Sequence, residues 1–262
     1  LGMSDDSIAL LAPRVTAIVR PGWDLRVSDD VAENKPYLRA MTARPFIRDY
    51  FPGYELYLWL DCDLWVQNRD SVDMAFRGAK LHQLAIAPHI HQSYAHAAAA
   101  HAWRRNGLRA YFGRDFSREL LTRPYLNSGV IGLARDAPHW GLWAELFQVG
   151  LDACSSALVD DQAPLNFAIW RSNLSLQPLP GTANWLCHLA LPTVDVTTGR
   201  LCEPHLPHGE IGILHMSGKT KRPTIPVTNA DGETREFAVD FRSRGPIRSF
   251  LDLNHLEPEG NP

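Results

Sequence analysis

The sequence lacks several things, and each absence narrows the reading. The 262 residues contain no C-x-x-C pair among Cys62, Cys154, Cys187 and Cys202, which argues against a zinc ribbon. Four scattered cysteines in a chain this long fit a reducing compartment, and hence a cytoplasmic protein or one peripheral to a membrane. No apolar run approaches the length that spans a bilayer. No basic excess is present: the net charge is -3, which argues against a dedicated nucleic-acid binder. There is no internal repeat, no low-complexity tract and no signal-like apolar segment after Leu1. What remains, with 45% hydrophobic and 21% charged residues, is an ordinary globular composition with ample length for a large core.

The chain is organised around residues 57 to 66, Tyr-Leu-Trp-Leu-Asp-Cys-Asp-Leu-Trp-Val. The apolar run reads as a buried strand that ends on Asp61 and Asp63. Carboxylates at such a place are costly unless a positive group meets them. Two readings stand. Either hard oxygen ligands converge there for Mg2+ or Mn2+, or two acids at a strand end are solvated or paired with arginine.

Around this stretch, apolar and helical segments alternate. Ser4 with Asp5 and Asp6 reads as a helix start, and Val15 to Val19 as a strand. Pro36 opens a helical segment that Pro45 breaks, and Phe46 to Tyr50 is a second piece. Ser71 caps a short helix to Arg77, and Gln83 to Ala87 is a strand. Ser93 to Phe112 reads as a helix, and His89, His91, His96 and His101, within it and just before it, read as mostly solvated. Tyr125 to Leu133 is apolar but interrupted by Asn127-Ser128-Gly129, where glycine allows close backbone approach. Pro138 to Leu151 is an amphipathic helix whose aromatic stripe is core. Asp160-Asp161-Gln162 opens another helix, and capping accounts for one of these acids but not the run. Residues 178 to 209 are proline-rich and irregular, which points to function when such a region packs down. Ile211 to Leu214 is a short strand delivering His215, residues 229 to 232 form a hairpin turn, and Pro246 to Leu253 is a final helix. The alternation implies an α/β fold with a mainly parallel central sheet flanked by helices, and ligands beyond the strand ends.

Four polar clusters interrupt these elements, and in their order the sequence resembles glycosyltransferase family 8. These are retaining enzymes of the GT-A fold that use nucleotide-diphosphate sugars. The D-x-D pattern is Asp61-Cys62-Asp63. An Asn-Ser/Ala-Gly-Val segment is Asn127-Ser128-Gly129-Val130. A D-Q-x-x-L-N segment is Asp161-Gln162-Ala-Pro-Leu165-Asn166. An H-x-x-G-x-x-K-P segment is His215-Met-Ser-Gly218-Lys-Thr-Lys221, with Arg222 before Pro223. Arg44 falls where the family has an arginine contacting the donor; an ordinary salt bridge to an acid is its other reading.

The resemblance covers roughly residues 1 to 223 as a GT-A-like catalytic domain, with 224 to 262 as a hairpin and helix packed on the same domain. It implies a hexosyltransferase that moves a sugar, with retention, from a donor such as a UDP-sugar to a glycan, lipid or protein. Asp61, Asp63 and His215 would hold Mn2+ or Mg2+, and Gly218 and Lys221 would meet the phosphates. Asp161 and Gln162 would face the transferred sugar, and Asn127 and Ser128 would orient sugar or acceptor. Two departures matter. The family's first strand has no counterpart, so residues 1 to 12 match the helix after the second strand, and part of the donor site is expected to be missing. Ala163 stands at a place that is often acidic. The alternatives are a sugar-nucleotide or glycan-binding protein of the same fold without turnover, and a metal-dependent phosphohydrolase built on the same acids.

Overall fold

The structure, a computed structural model, describes residues 4–94, 108–109, 112–114, 117–118, 120–153, 161–217, 224–229 and 232–238. Three expected features lie outside them: most of the helix over 93 to 112 with His96 and His101, the Gly218–Lys221 segment, and the final helix.

Helix α1 (Asp5–Leu11) carries Asp5 and Asp6 in its first turn, at the positive end of the helix dipole. Helix α2 (Asp29–Asn34) is capped by Ser28, whose hydroxyl accepts from the Val31 N–H. Pro36 opens a 3-10 turn into α3 (Arg39–Ala43); a second 3-10 turn at Arg44–Phe46, centred on Pro45, leads to α4 (Ile47–Tyr50). Strand β1 (Leu56–Leu60) then stops at Asp61, a turn follows, and β2 (Leu64–Val66) begins in a different sheet. Helix α5 (Asp70–His82) is longer than the Ser71–Arg77 segment expected, and Ser71 lies inside it. It leads through Gln83, at φ 68°, into β3 (Leu84–Pro88). Strand β4 (Leu126–Ala134), helices α6 (His139–Ala153) and α7 (Gln162–Arg171), and the short strands β5 (Gln177–Pro178), β6 (Trp185–Leu186), β7 (Thr193–Asp195), β8 (Arg200–Cys202) and β9 (Ile213–His215) follow. A hairpin of β10 (Thr224–Asn229) and β11 (Thr234–Ala238) completes the described chain.

The fold is α/β, and its sheets are mixed. The first has the order β1-β4-β3-β5, with β4 antiparallel to both neighbours and β5 parallel to β3. The second runs β2-β9-β6, antiparallel then parallel. The third runs β11-β10-β7-β8, so the hairpin after residue 223 shares a sheet with β7 and β8. The mainly parallel sheet expected from the alternation is therefore not what the described strands form. Periodicity separates strand from helix but does not encode strand direction. Val15 to Val19 is also not a strand. Val15, Ile18 and Val19 are exposed and pair with nothing in any described sheet, so β-branched residues alone do not make a strand without a neighbour to pack on.

The core lies on both faces of β4. On one face Trp140 and Trp143 of α6 and Leu165 and Ile169 of α7 meet Leu84, Ile86, Ile131 and Leu133. Burying each of these large side chains stabilises the fold by roughly 1.5–3 kcal/mol. On the other face α5 sits so close that a Cβ on Gly132 would lie 2.5 Å from the Ala75 carbonyl oxygen. The region from 178 to 209 packs down onto Trp185, which is fully buried beside Tyr94, Ile211 and Leu214.

Candidate functional site

The site forms where β1 leaves the first sheet and β4 runs on. Pairing of the two strands ends at Leu60 opposite Val130, so Leu126 and Ser128 have no β1 residue across from them. Buried backbone groups left in that way must find partners elsewhere. Side chains of α7 supply them. Asn166 accepts from the Leu126 N–H at 2.8 Å and donates to its carbonyl at 2.9 Å. Gln162 Oε1 accepts from the Ser128 N–H at 2.9 Å. A polar floor thus replaces a strand, and it explains why Asn-Ser-Gly interrupts an apolar run.

Asp161 occupies the N-cap position of α7, yet its carboxylate makes no cap hydrogen bond. It turns instead to Arg44, whose Nη1 donates to Asp161 Oδ2 at 2.7 Å and to the Ser128 hydroxyl at 3.1 Å. The indole N–H of Trp143 holds the Asp161 carbonyl at 2.8 Å. Asp161 is 2% exposed, and burial pushes its carboxyl pKa up, while the Arg44 charge pulls it back down. Nη2 of Arg44 donates to Asp61 Oδ1, and the guanidinium lies over the Trp59 ring, 4.9 Å from its centroid. The Trp59 N–H also donates to Asp61 Oδ1, at 2.7 Å. The arginine is engaged with acids of the protein, the simpler of the two readings of that residue.

Those two donors fix Asp61 so that Oδ2 faces His215, 3.8 Å from its Nε2. Strand register brings Asp63 to the same point. Leu64 pairs with His215, and the Met216 N–H donates to the Asp63 carbonyl at 2.9 Å. Asp63 Oδ1 stands 3.4 Å from His215 Nε2. One ligand atom from each of Asp61, Asp63 and His215 lies within 4.8 Å of the others. Neighbouring ligands of an ion bound at about 2.0–2.2 Å sit roughly 3–4 Å apart, so the two carboxylates and the imidazole fit a divalent cation. The side chains converge through a turn at residues 61 to 63, not through the alternation of one continuous strand.

Gly129 makes room for the imidazole. A Cβ there would lie 2.3 Å from His215 Cε1. Asn127 sits beside it: its Oδ1 accepts from the Gly129 N–H at 2.9 Å and from Asn184 Nδ2 at 2.8 Å, and its Nδ2 meets His89 Nε2 at 3.1 Å. His89 and His91 are not solvated as expected. The second lies 3.4 Å from the Glu203 carboxylate and edge-on to Trp185.

All of the expected site residues that are described come together: Arg44, Asp61, Asp63, Asn127, Ser128, Asp161, Gln162 and His215. Gly218 and Lys221 lie outside the described residues. Sequence reasoning missed Trp59, Trp143 and Asn184. A hydrogen-bonding group next to a buried tryptophan, in Ala-Asn184-Trp185, was the only signal available for the last. No protein-family model matches this chain, and no curated protein does. Among the described residues no helix is long and apolar enough to cross a membrane.

Proposed function

We propose that this chain is a glycosyltransferase of the GT-A fold, similar to family 8, that moves a sugar from a nucleotide-diphosphate donor with retention. The observation that carries the reading is the convergence of Asp61, Asp63 and His215 beside the Asp161–Arg44 pair. Asp61, Asp63 and His215 would hold Mn2+ or Mg2+. A cation bound there would neutralise the charge that develops on the departing diphosphate.

The chain's own residues do the rest. Burial raises the Asp161 carboxyl pKa and the Arg44 charge pulls it back towards the ionised form; an ionised Asp161 would face a sugar centre that becomes positive as the leaving group departs. Gln162 and Ser128 are held by β4 and α7, and such fixed amide and hydroxyl groups orient sugar hydroxyls without reorganising. Lys221 would add a positive contact to the phosphates. The acceptor is a glycan, lipid or protein.

The test is a panel of nucleotide sugars and phosphate esters, with and without Mn2+. Metal-dependent release of sugar from a nucleotide-diphosphate sugar is expected. Nucleotide binding without turnover would make the chain a binding protein, and turnover of phosphate esters alone would replace the proposal with a phosphohydrolase.

A further inference from the structure

The hydrogen-bond partners of Asn127 and Asn184 determine which nitrogen of His215 carries its proton. The Gly129 N–H can only donate, and its acceptor, Asn127 Oδ1, is 2.9 Å away. Turning the Asn127 amide over would set an NH2 group against that N–H, donor against donor. The Asn184 atom 2.8 Å from Asn127 Oδ1 must therefore be the amide nitrogen. The other end of Asn184 is then its oxygen, which can only accept, and it lies 3.0 Å from His215 Nδ1. His215 Nδ1 must donate. In a neutral imidazole this leaves the lone pair on Nε2, the atom that faces Asp63 Oδ1 at 3.4 Å and Asp61 Oδ2 at 3.8 Å. Asn127, Asn184 and His215 are 7%, 2% and 4% exposed, so water does not offer an easy substitute for these bonds.

We infer that Asn184 is a positioning residue that locks His215 in the tautomer and ring orientation required of a metal ligand. Its backbone explains how it can do so. Asn184 precedes β6, and β6 pairs in parallel with β9, so Leu186 lies beside His215 and the asparagine reaches back to the ring. Gly129 lies against the Cε1–Nδ1 edge of the ring, where a Cβ would stand 2.3 Å from Cε1 and 2.7 Å from Nδ1. This role deepens the metal-assisted reading above and rests on it.

The experiment has two arms. In the metal-free wild type, 15N NMR of the His215 ring at a pH where it is neutral should show the proton on Nδ1 and none on Nε2. An Nε2–H tautomer would overturn the assignment, whatever the variants do. The second arm measures Mn2+ affinity by calorimetry. Asn184→Leu keeps the approximate volume without hydrogen bonding, and should mix the tautomers and weaken Mn2+ binding about 10- to 100-fold. Asn184→Asp keeps an acceptor for Nδ1–H but loses the donor to Asn127 Oδ1; it should preserve the tautomer, with binding between those of wild type and Asn184→Leu. Equal affinities of wild type and Asn184→Leu, with an unchanged tautomer, would overturn the role. Failure of the wild type to bind Mn2+ would instead remove the metal reading, and the tautomer measurement, made without metal, separates that failure from this one.

Discussion

Asp161 on the floor and Asp61 with Asp63 at the corner are carboxylates of one site, held in different ways. Asp161 is buried and carries its own cation, because Arg44 reaches it at 2.7 Å. The corner acids keep side-chain exposures of 18% and 15%, and they converge on an imidazole nitrogen that the Asn127–Asn184 bonds leave as an acceptor. The floor is thus electrostatically closed within the protein. At the corner Arg44 reaches Asp61, and two acids and a nitrogen lone pair point at one place. The difference suggests separate duties: the floor for shape and a fixed charge, the corner for an exchangeable cation.

Removing the internal cation should have the largest effect. Arg44→Met leaves Asp161 buried beside no positive partner, and a loss of about 3–5 kcal/mol in urea unfolding is expected. Adding Asp161→Asn to that variant should recover part of the loss, since the orphaned charge is gone. Equal stability of wild type and Arg44→Met would mean that burial does not set the balance at the floor.

His139 is a buried ionisable group that belongs to neither cluster. It is fully buried, and desolvation lowers its pKa to about 4, against 6.5 when exposed, with a contact to the Ser175 backbone offsetting part of the effect. The unfolded chain therefore takes up a proton below about pH 6.5 that the folded chain refuses until about pH 4. Stability should fall as pH drops through that window, by about 3 kcal/mol from this group, and His139→Gln should lose the corresponding slope. An unchanged slope in that variant would contradict the burial argument.

Gly129→Ala tests the corner without touching a charge. Its Cβ must displace the His215 ring, so a stability cost of about 1–3 kcal/mol is expected, with weaker Mn2+ binding. The floor, read as the Arg44–Asp161 pair, should stay intact. The smallest effect belongs to Ser128→Ala, which removes the hydroxyl that accepts from Arg44 Nη1 at 3.1 Å. It should cost about 1 kcal/mol, because Arg44 keeps both carboxylates.

Much of the site was legible because its residues are polar where the elements are apolar. Asp61, Asp63, Asn127, Ser128, Asp161 and Gln162 break strand ends or helix starts, and a fold must account for each. His215 was legible as the residue that a short strand delivers, by its spacing to Gly218 and Lys221. Asn184 was not, because its role depends on β6 lying beside β9, a pairing that no local pattern encodes. Trp59 read as core, and only the turn after Leu60 brings Asp61 back to its N–H. Strand direction in the first sheet was misjudged for a related reason: β4 reaches its antiparallel place between β1 and β3 through a long connection whose composition is silent on topology. Val15 to Val19 shows the converse, a strand-like composition with no strand beside it.

The corner is proposed to hold a cation that the floor, paired with Arg44, does not need. Titration of the wild type and Asp63→Ala with Mn2+ by calorimetry, with the fold monitored by circular dichroism, tests it most directly. One site is expected in the wild type, no measurable binding in Asp63→Ala, and the same spectrum for both. Identical Mn2+ isotherms for the two proteins, or no binding by the wild type, would contradict it.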